Sequence, residues 1–348
     1  MGKNRPPKNI WHLTRVLLIG LAFVYFHLSA QAAGQLIVHD FIPDLSAFLR
    51  SAPPKREDRA KLFAQLVIRP HPEVYNRPQI FKTDLETLER YLDGLPEYLP
   101  AIKHLLKSFE EQHASAQARF QNAFPDFDSS KARVYLILSL FRFDGKIPHA
   151  NPHMLLLGLD GIAKFHGADA RLSVILSHEL FHVYHFQVNP LPRDADEVQL
   201  YRLVWQEGLA TYVSKVLNPD ASLADILLDP RLAVEGPKYV PLFAQSLLTQ
   251  LESKDDATAA RYLSYRRGGQ TPARLGYLIG YEIAKRAAAN HPLAELARLR
   301  GRPLLDLMRS EVKSLATEGD KKPPITQIKE AKHDPAYSRQ EIQTERRR

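Results

Sequence analysis

Hydrophobic and polar positions change texture along the chain. From about residue 57 to 124 apolar residues recur at helical spacing: Leu62, Phe63, Leu66 and Val67 within Arg59–Ile68, then Ile102, Leu105, Leu106 and Phe109 within Ala101–Phe124. Thr83-Asp84-Leu85-Glu86 has the order of a capping box, with Thr83 as N-cap. It opens a helix expected to run through Leu92, before Pro96 and Pro100 interrupt it. At Lys131 the pattern shifts. Val134-Tyr135-Leu136-Ile137-Leu138 is a short apolar run rich in strand-favouring residues, and Met154–Leu159 is a second one. A polar loop with Asp144-Gly145, Pro148 and Pro152 lies between them. Helical periodicity then returns over Asp169–Gln187, closed by Asn189-Pro190, over Asp194–Leu217, and over Ala273–Asn290. The pattern predicts an α+β, mostly helical fold in which a small sheet lies beside one buried helix.

The ends of the chain differ from its body. Residues 1–15 carry Lys3, Arg5, Lys8 and Arg15 without an acid. An apolar run from Val16 to Phe26 and the tripeptide Ala30-Gln31-Ala32 follow. A basic stretch, an apolar stretch and an A-x-A end are the parts of a secretory signal peptide. Residues 1–32 are read as that signal, which implies an exported, periplasmic protein in a bacterium. The alternative is an uncleaved signal anchoring it to the inner membrane. Residues 319–348 are polar, lack hydrophobic periodicity and end in three arginines, the composition of a disordered tail. Between them, 33–130 read as a mostly helical region and 131–318 as the site-bearing domain.

Charge and cysteine content then narrow the chemistry. The 348-residue chain has a formal charge of +8, which invites a nucleic-acid reading. The signal region carries +4 of it and the tail +3, so the body is nearly neutral and no nucleic-acid partner is expected. No nucleotide-binding glycine pattern and no internal repeat occurs. With no cysteine, thiolate metal sites, iron–sulfur clusters, disulfides and an acylated lipoprotein cysteine are excluded. A metal would have to be held by His, Asp or Glu.

The helix over 169–187 supplies such ligands. Ser177-His178-Glu179-Leu180-Phe181-His182 places two histidines four apart on one helix face, where both imidazoles can reach one ion, with Glu179 beside them. Leu172, Val174, Ile175 and Leu176 make the helix largely buried. Two histidines and a glutamate there are costly without a partner, which a metal supplies. A third ligand stands in the next helix: Glu207, an acid among apolar residues, followed by Gly208 and Ala210, small enough to let two helices approach closely. Two His and one Glu leave the fourth tetrahedral position to water, as in catalytic zinc sites. His185, seven residues after His178, lies near the same face and is a weaker candidate for a metal or supporting role. His149, His153 and His166 read as loop residues. Asp160 and Asp169 are candidates to orient a ligand imidazole, with Asp169 the better candidate for helix cap.

His178-Glu179-x-x-His182 followed by Glu207-Gly208-Leu209-Ala210 resembles the gluzincin group of zinc metallopeptidases. In particular it is similar to bacterial families known as predicted zinc-dependent proteases with HExxH and a downstream E-G-[LF]-A. The resemblance covers about residues 131–290. It implies a zincin-like fold, a small sheet and active-site helix followed by a helical C-terminal subdomain. It also implies one Zn2+ held by His178, His182 and Glu207, with Glu179 as general base. It further implies that the strand Met154, Leu155, Leu156, Leu157, Gly158, Leu159 binds substrate as an added β-strand, and that a tyrosine donates to the oxyanion. Tyr277 and Tyr281 are the candidates, Tyr281 preferred. The expected activity is zinc-dependent hydrolysis of exported or envelope peptides and proteins. The alternative is a non-catalytic metal- or peptide-binding envelope protein with a protease-like fold. Partners are then a peptide or protein substrate, with possible peripheral or signal-anchor membrane association.

Overall fold

Short-range pattern accounts for most elements, and one long-range pairing completes the sheet. The computed structural model describes residues 36–148, 150–190, 198–265 and 271–318. The expected signal (1–32), the polar tail (319–348), His149 and the stretch containing Asp194 lie outside the described residues. In chain order the strands are β1 (Ile37–Asp40), β2 (Arg133–Ile137), β3 (Gly145–Lys146) and β4 (Met154–Gly158). The helices are α1 (Ile42–Ser51), α2 (Arg56–Phe63, continued by a π-helical turn Ala64–Ile68), α3 (Pro72–Tyr75), α4 (Leu85–Ala123), α5 (Leu159–His166), α6 (Leu172–Val188) and α7 (Leu200–Leu217). They continue with α8 (Leu223–Leu227), α9 (Pro230–Glu235), α10 (Val240–Leu248), α11 (Asp256–Leu263), α12 (Leu275–Ala287), α13 (Leu293–Leu296) and α14 (Gly301–Thr317). The fold is α+β and mostly helical, as the pattern predicts, with a helical C-terminal region after α6. No helix among the described residues is long and apolar enough to cross a membrane.

The sheet order is β1-β2-β4-β3, with β1, β2 and β4 parallel and β3 antiparallel to β4. β1 was not expected. Ile37–Asp40 pairs residue by residue with Arg133–Leu136, and the His39 ring stacks on Tyr135 at 4.5 Å. Its four residues show no clear period, and their partner lies over 90 positions away. β4 is buried along its whole length, since α6 packs on the sheet.

Three boundaries differ from expectation for identifiable reasons. α4 runs unbroken through Pro96 and Pro100 for 39 residues. The two prolines are four apart, so their missing N–H groups fall on one face. Burial of Leu88, Leu92, Leu95, Ile102, Leu105 and Phe109 holds the helix across them. Its N-cap is Asp84, not Thr83: the Asp84 carboxylate accepts from the Thr87 N–H at 2.9 Å. α6 begins at Leu172 after Arg171, so Asp169 does not cap it.

All described residues belong to one compact unit that begins at Leu36, with one contiguous hydrophobic core. Residues before 131 supply β1 to the sheet and pack α4 along α6.

Candidate metal centre

α6 is buried on every side from Leu172 to Phe186, which a helix of mixed polarity tolerates only if its polar groups have partners. One turn apart on it, His178 and His182 bring their Nε2 atoms to 3.0 Å of each other. Glu207 on α7 places Oε2 3.3 Å from His178 Nε2 and 3.4 Å from His182 Nε2. Among the described residues this is the one group of three His, Asp or Glu whose ligand atoms converge within 4.8 Å. A tetrahedral zinc with bonds of 2.0–2.1 Å holds its ligand atoms about 3.4 Å apart. The three separations match the edges of that tetrahedron. Burial pushes the His178 imidazole below its ordinary range despite the opposing bond to Glu207. That favours the neutral, metal-binding form.

α7 reaches α6 closely because α12 presses on it from another side. Gly208 sits directly on Gly280 of α12, with no room for a Cβ on either. A second tie lies one helical turn below the ligands. Asn218, after α7, donates to Ser177 Oγ at 3.1 Å and to the Ser173 carbonyl at 3.4 Å on α6.

Glu179 is 4% exposed, and its Oε2 is buried without a hydrogen-bond partner. Across from it runs β3: a Cβ on Gly145 would meet Glu179 Oε1 at 2.5 Å and Cγ at 2.7 Å. Glycine at 145 is what lets the sheet edge lie against the carboxylate.

His178 and Glu179 open onto a cleft of about 820 Å³ whose walls include Tyr91 of α4, the segment Leu140–Asp144, Lys164, Arg231, Arg274 and Tyr277. Leu140 and Phe141 both have a left-handed φ of 58°, uncommon outside glycine. Asp160 holds them there, accepting from the Ser139 N–H at 2.6 Å and the Phe141 N–H at 2.9 Å. Burial raises the Asp160 carboxyl above its usual range. Asp160 therefore shapes the cleft wall and does not orient a ligand imidazole.

The other sequence candidates separate by position. Tyr277 stands at the site: its ring stacks on His178 at a centroid distance of 6.3 Å and lines the cleft. Tyr281, the preferred candidate in sequence, packs on Tyr212 at 5.9 Å and is not part of the cleft wall. β4 does not present an open edge at its centre. Tyr135 and Leu136 of β2 flank its Leu156 and Leu157 on one side, and Lys146 and Gly145 of β3 flank them on the other. Leu159 already belongs to α5. An added strand thus has no place beside Leu156 and Leu157. His166 pairs with Asp144 at 2.7 Å, and neither it nor His153 joins the ligand group. Gly145, the cleft arginines and the backbone-holding role of Asp160 escaped sequence reasoning because nothing local marks them; only the Asp144-Gly145 turn signal hinted at the first.

His185 is not a ligand either. It is buried, its Nε2 lies 3.3 Å from Asn189 Nδ2, and its Nδ1 has no partner. Burial pushes its imidazole down to about 3. The folded form therefore holds it neutral, while the unfolded chain protonates near pH 6.5. Its stabilising contribution is complete above that pH and is lost as the pH falls, by at most about 1.4 kcal/mol per unit. In His185→Gln, unfolding free energies by urea titration should fall less between pH 6.5 and 5 than in the parent, by about 1.6 kcal/mol. Equal slopes would mean that His185 is protonated in the fold.

Comparison with known proteins bears on this site. A family model described as a predicted Zn-dependent protease (DUF2268) matches residues 152–301. The match spans α6, α7 and α12 and takes in His178, Glu179, His182, Glu207 and Tyr277, but not β1, β2 or β3. No curated protein and no solved structure matches the chain.

Proposed function

We propose that this chain is a gluzincin-type zinc metallopeptidase that hydrolyses peptide bonds in exported or envelope peptides and proteins. The observation that carries this reading is the convergence of His178, His182 and Glu207 next to the buried Glu179 carboxylate, whose Oε2 has no hydrogen-bond partner and which lines the cleft. The match to a family described as a predicted Zn-dependent protease supports it.

His178, His182 and Glu207 would hold one zinc ion. Bound there, it would supply Lewis acidity and lower the pKa of a water toward about 7. Glu179 takes the proton from the attacking water and returns it to the leaving amine. Its Oε2 has no competing donor inside the protein, and β3 at Gly145 keeps bulk away from it. Tyr277, on the cleft wall beside His178, is the residue assigned to donate to the carbonyl oxygen as negative charge develops there. Export to the periplasm is part of the proposal. It rests on the charged, apolar and small-residue parts of residues 1–32.

Elemental analysis of the purified protein should find one zinc per chain. A chelator should remove it together with all cleavage of a peptide library, and added zinc should restore both. Protein with no bound metal would overturn the proposal. Protein with zinc and no turnover on peptides or proteins would instead support a binding protein on the same scaffold.

A further inference from the structure

The cleft is basic, and one of its cations is buried with no carboxylate at ion-pair distance among the described residues. Arg90, Arg142, Lys146, Lys164, Arg231 and Arg274 line it against Asp144, Glu179 and Asp229. Two of these acids are engaged elsewhere. Asp144 accepts from the Gly145 N–H and pairs with His166, both at 2.7 Å, and Asp229 caps α9 through the Leu232 N–H at 3.0 Å. The third, Glu179, is the base.

Arg274 and Lys146 are the two buried cations of the six, and Arg274 is the one set between two aromatic rings. It is 6% exposed and precedes α12 in a left-handed conformation with φ 56°. Its guanidinium carbon lies 3.9 Å from the Tyr277 ring centroid and 4.5 Å from that of Tyr265. Nη1 donates to the Leu227 carbonyl at 3.2 Å and to the Tyr265 hydroxyl. These acceptors are neutral, and among the described residues no carboxylate lies within ion-pair distance of it. Burial and the positive end of the helix work against this cation, while the two tyrosines and, at longer range, Asp144 favour its charged form. Two aromatic faces and a strained backbone thus hold a planar fork of donors at the cleft wall, which an anion from outside can pair.

We propose that Arg274 anchors a carboxylate subsite, so that the enzyme selects peptides bearing an acidic side chain or a free C-terminal carboxylate next to the bond it cleaves. The subsite rests on the peptidase reading for its place in catalysis. The Tyr277 ring that carries the guanidinium is the same ring that stacks on His178, so the subsite lies one side chain away from the metal ligands. Arg142 adds to it: half-buried, it is held below its ordinary range by desolvation alone, and its charge reinforces the positive potential of the wall.

The test uses the full-length, zinc-loaded protein and matched peptide pairs. One pair carries a C-terminal carboxylate or carboxamide, another Asp or Asn, a third Glu or Gln at each internal position. One of the carboxylate members should be preferred in kcat/KM by at least about tenfold, and the pair that shows the preference identifies the source of the carboxylate. The preference should collapse toward unity in Arg274→Gln. It should be partly retained in Arg274→Lys, which keeps the charge and loses the fork. Should Arg274→Gln not fold, the wild-type comparison and Arg274→Lys still decide. Cleavage without preference within any pair overturns the subsite and leaves the peptidase reading standing. If nothing is cleaved, calorimetry of the same pairs on Glu179→Gln protein separates the two. Arg274-dependent binding of the carboxylate members supports the subsite while the peptidase reading fails; equal binding within each pair, or none, overturns the subsite.

Discussion

Replacing Glu179 by glutamine is expected to lower kcat by about 10²- to 10⁴-fold, the usual contribution of a positioned general base, with one metal ion per chain retained. The substitution keeps shape and size, which matters because Gly145 of β3 lies against this side chain. A shorter residue would leave a gap there and confound the result. The amide cannot accept the proton from the attacking water. The ligand atoms of His178, His182 and Glu207 meet one another and not Glu179, so metal content should stay at the parent level. Stability should hold or rise, because a buried carboxylate with an unpartnered oxygen gives way to a neutral group that is cheaper to desolvate. Three measurements on one preparation decide the matter: turnover of a susceptible peptide, zinc stoichiometry and the unfolding midpoint. Wild-type turnover in this variant would remove Glu179 from the mechanism. Loss of zinc together with turnover would make it a structural support of the ligands instead.

The centre of this fold is legible in sequence because its determinants are local. His178 and His182 share a helix face by spacing alone, and Glu207 is conspicuous as an acid flanked by apolar and small residues. Both short apolar runs became strands, and Gly208, read as a small residue for close packing, meets Gly280 of α12 directly. What escaped depends on contacts between distant segments. β1 is recognisable only through its pairing with β2. Asp160 is an ordinary acid in sequence and acquires its role from the backbone it holds 19 and 21 residues away. Arg274 follows a small polar stretch and becomes notable only when Tyr265, Tyr277 and Leu227 close around it. The choice of Tyr281 over Tyr277 turned on the same point: both lie on one face of α12, and only the tertiary arrangement shows which reaches the cleft. Even the continuity of α4 through two prolines is a tertiary effect, since burial of its apolar stripe overrides a local signal to stop. The site therefore divides into a candidate metal-binding part written in two helices and a cleft wall assembled from residues before and within the matched family segment.

The strongest destabilisation should come from adding one methyl group at that crossing. In Gly208→Ala the new Cβ would fall within the van der Waals radii of the Cα and carbonyl carbon of Gly280, with its carbonyl oxygen at 2.6 Å. These are backbone atoms of α12 and cannot rotate aside. The converse holds for Gly280, whose Cβ would meet the Val204 carbonyl and, at 2.7 Å, the Gly208 Cα. Helix propensity alone favours alanine over glycine by about 1 kcal/mol. The two helices nevertheless carry glycine here, because backbone contact demands it. Separating them disturbs packing along the full length of α7 and α12, and the net loss should be about 3 kcal/mol or more, at the upper end for overpacking. Glu207 is the neighbouring residue on α7, so the same displacement carries its carboxylate away from the two histidines. A misplacement of about 1 Å is enough to cost on the order of 10²-fold in rate. Unfolding free energy, zinc affinity and kcat/KM should therefore fall together. Val216→Ala, on the same helix at a position 43% exposed, should change stability by no more than about 0.5 kcal/mol. The double variant Gly208→Ala/Gly280→Ala should fall short of additivity, since both methyls open one crossing. A Gly208→Ala protein that unfolds like its parent and binds zinc as tightly would mean that α7 can shift without moving Glu207. The link between the glycine contact and the metal centre would then be broken.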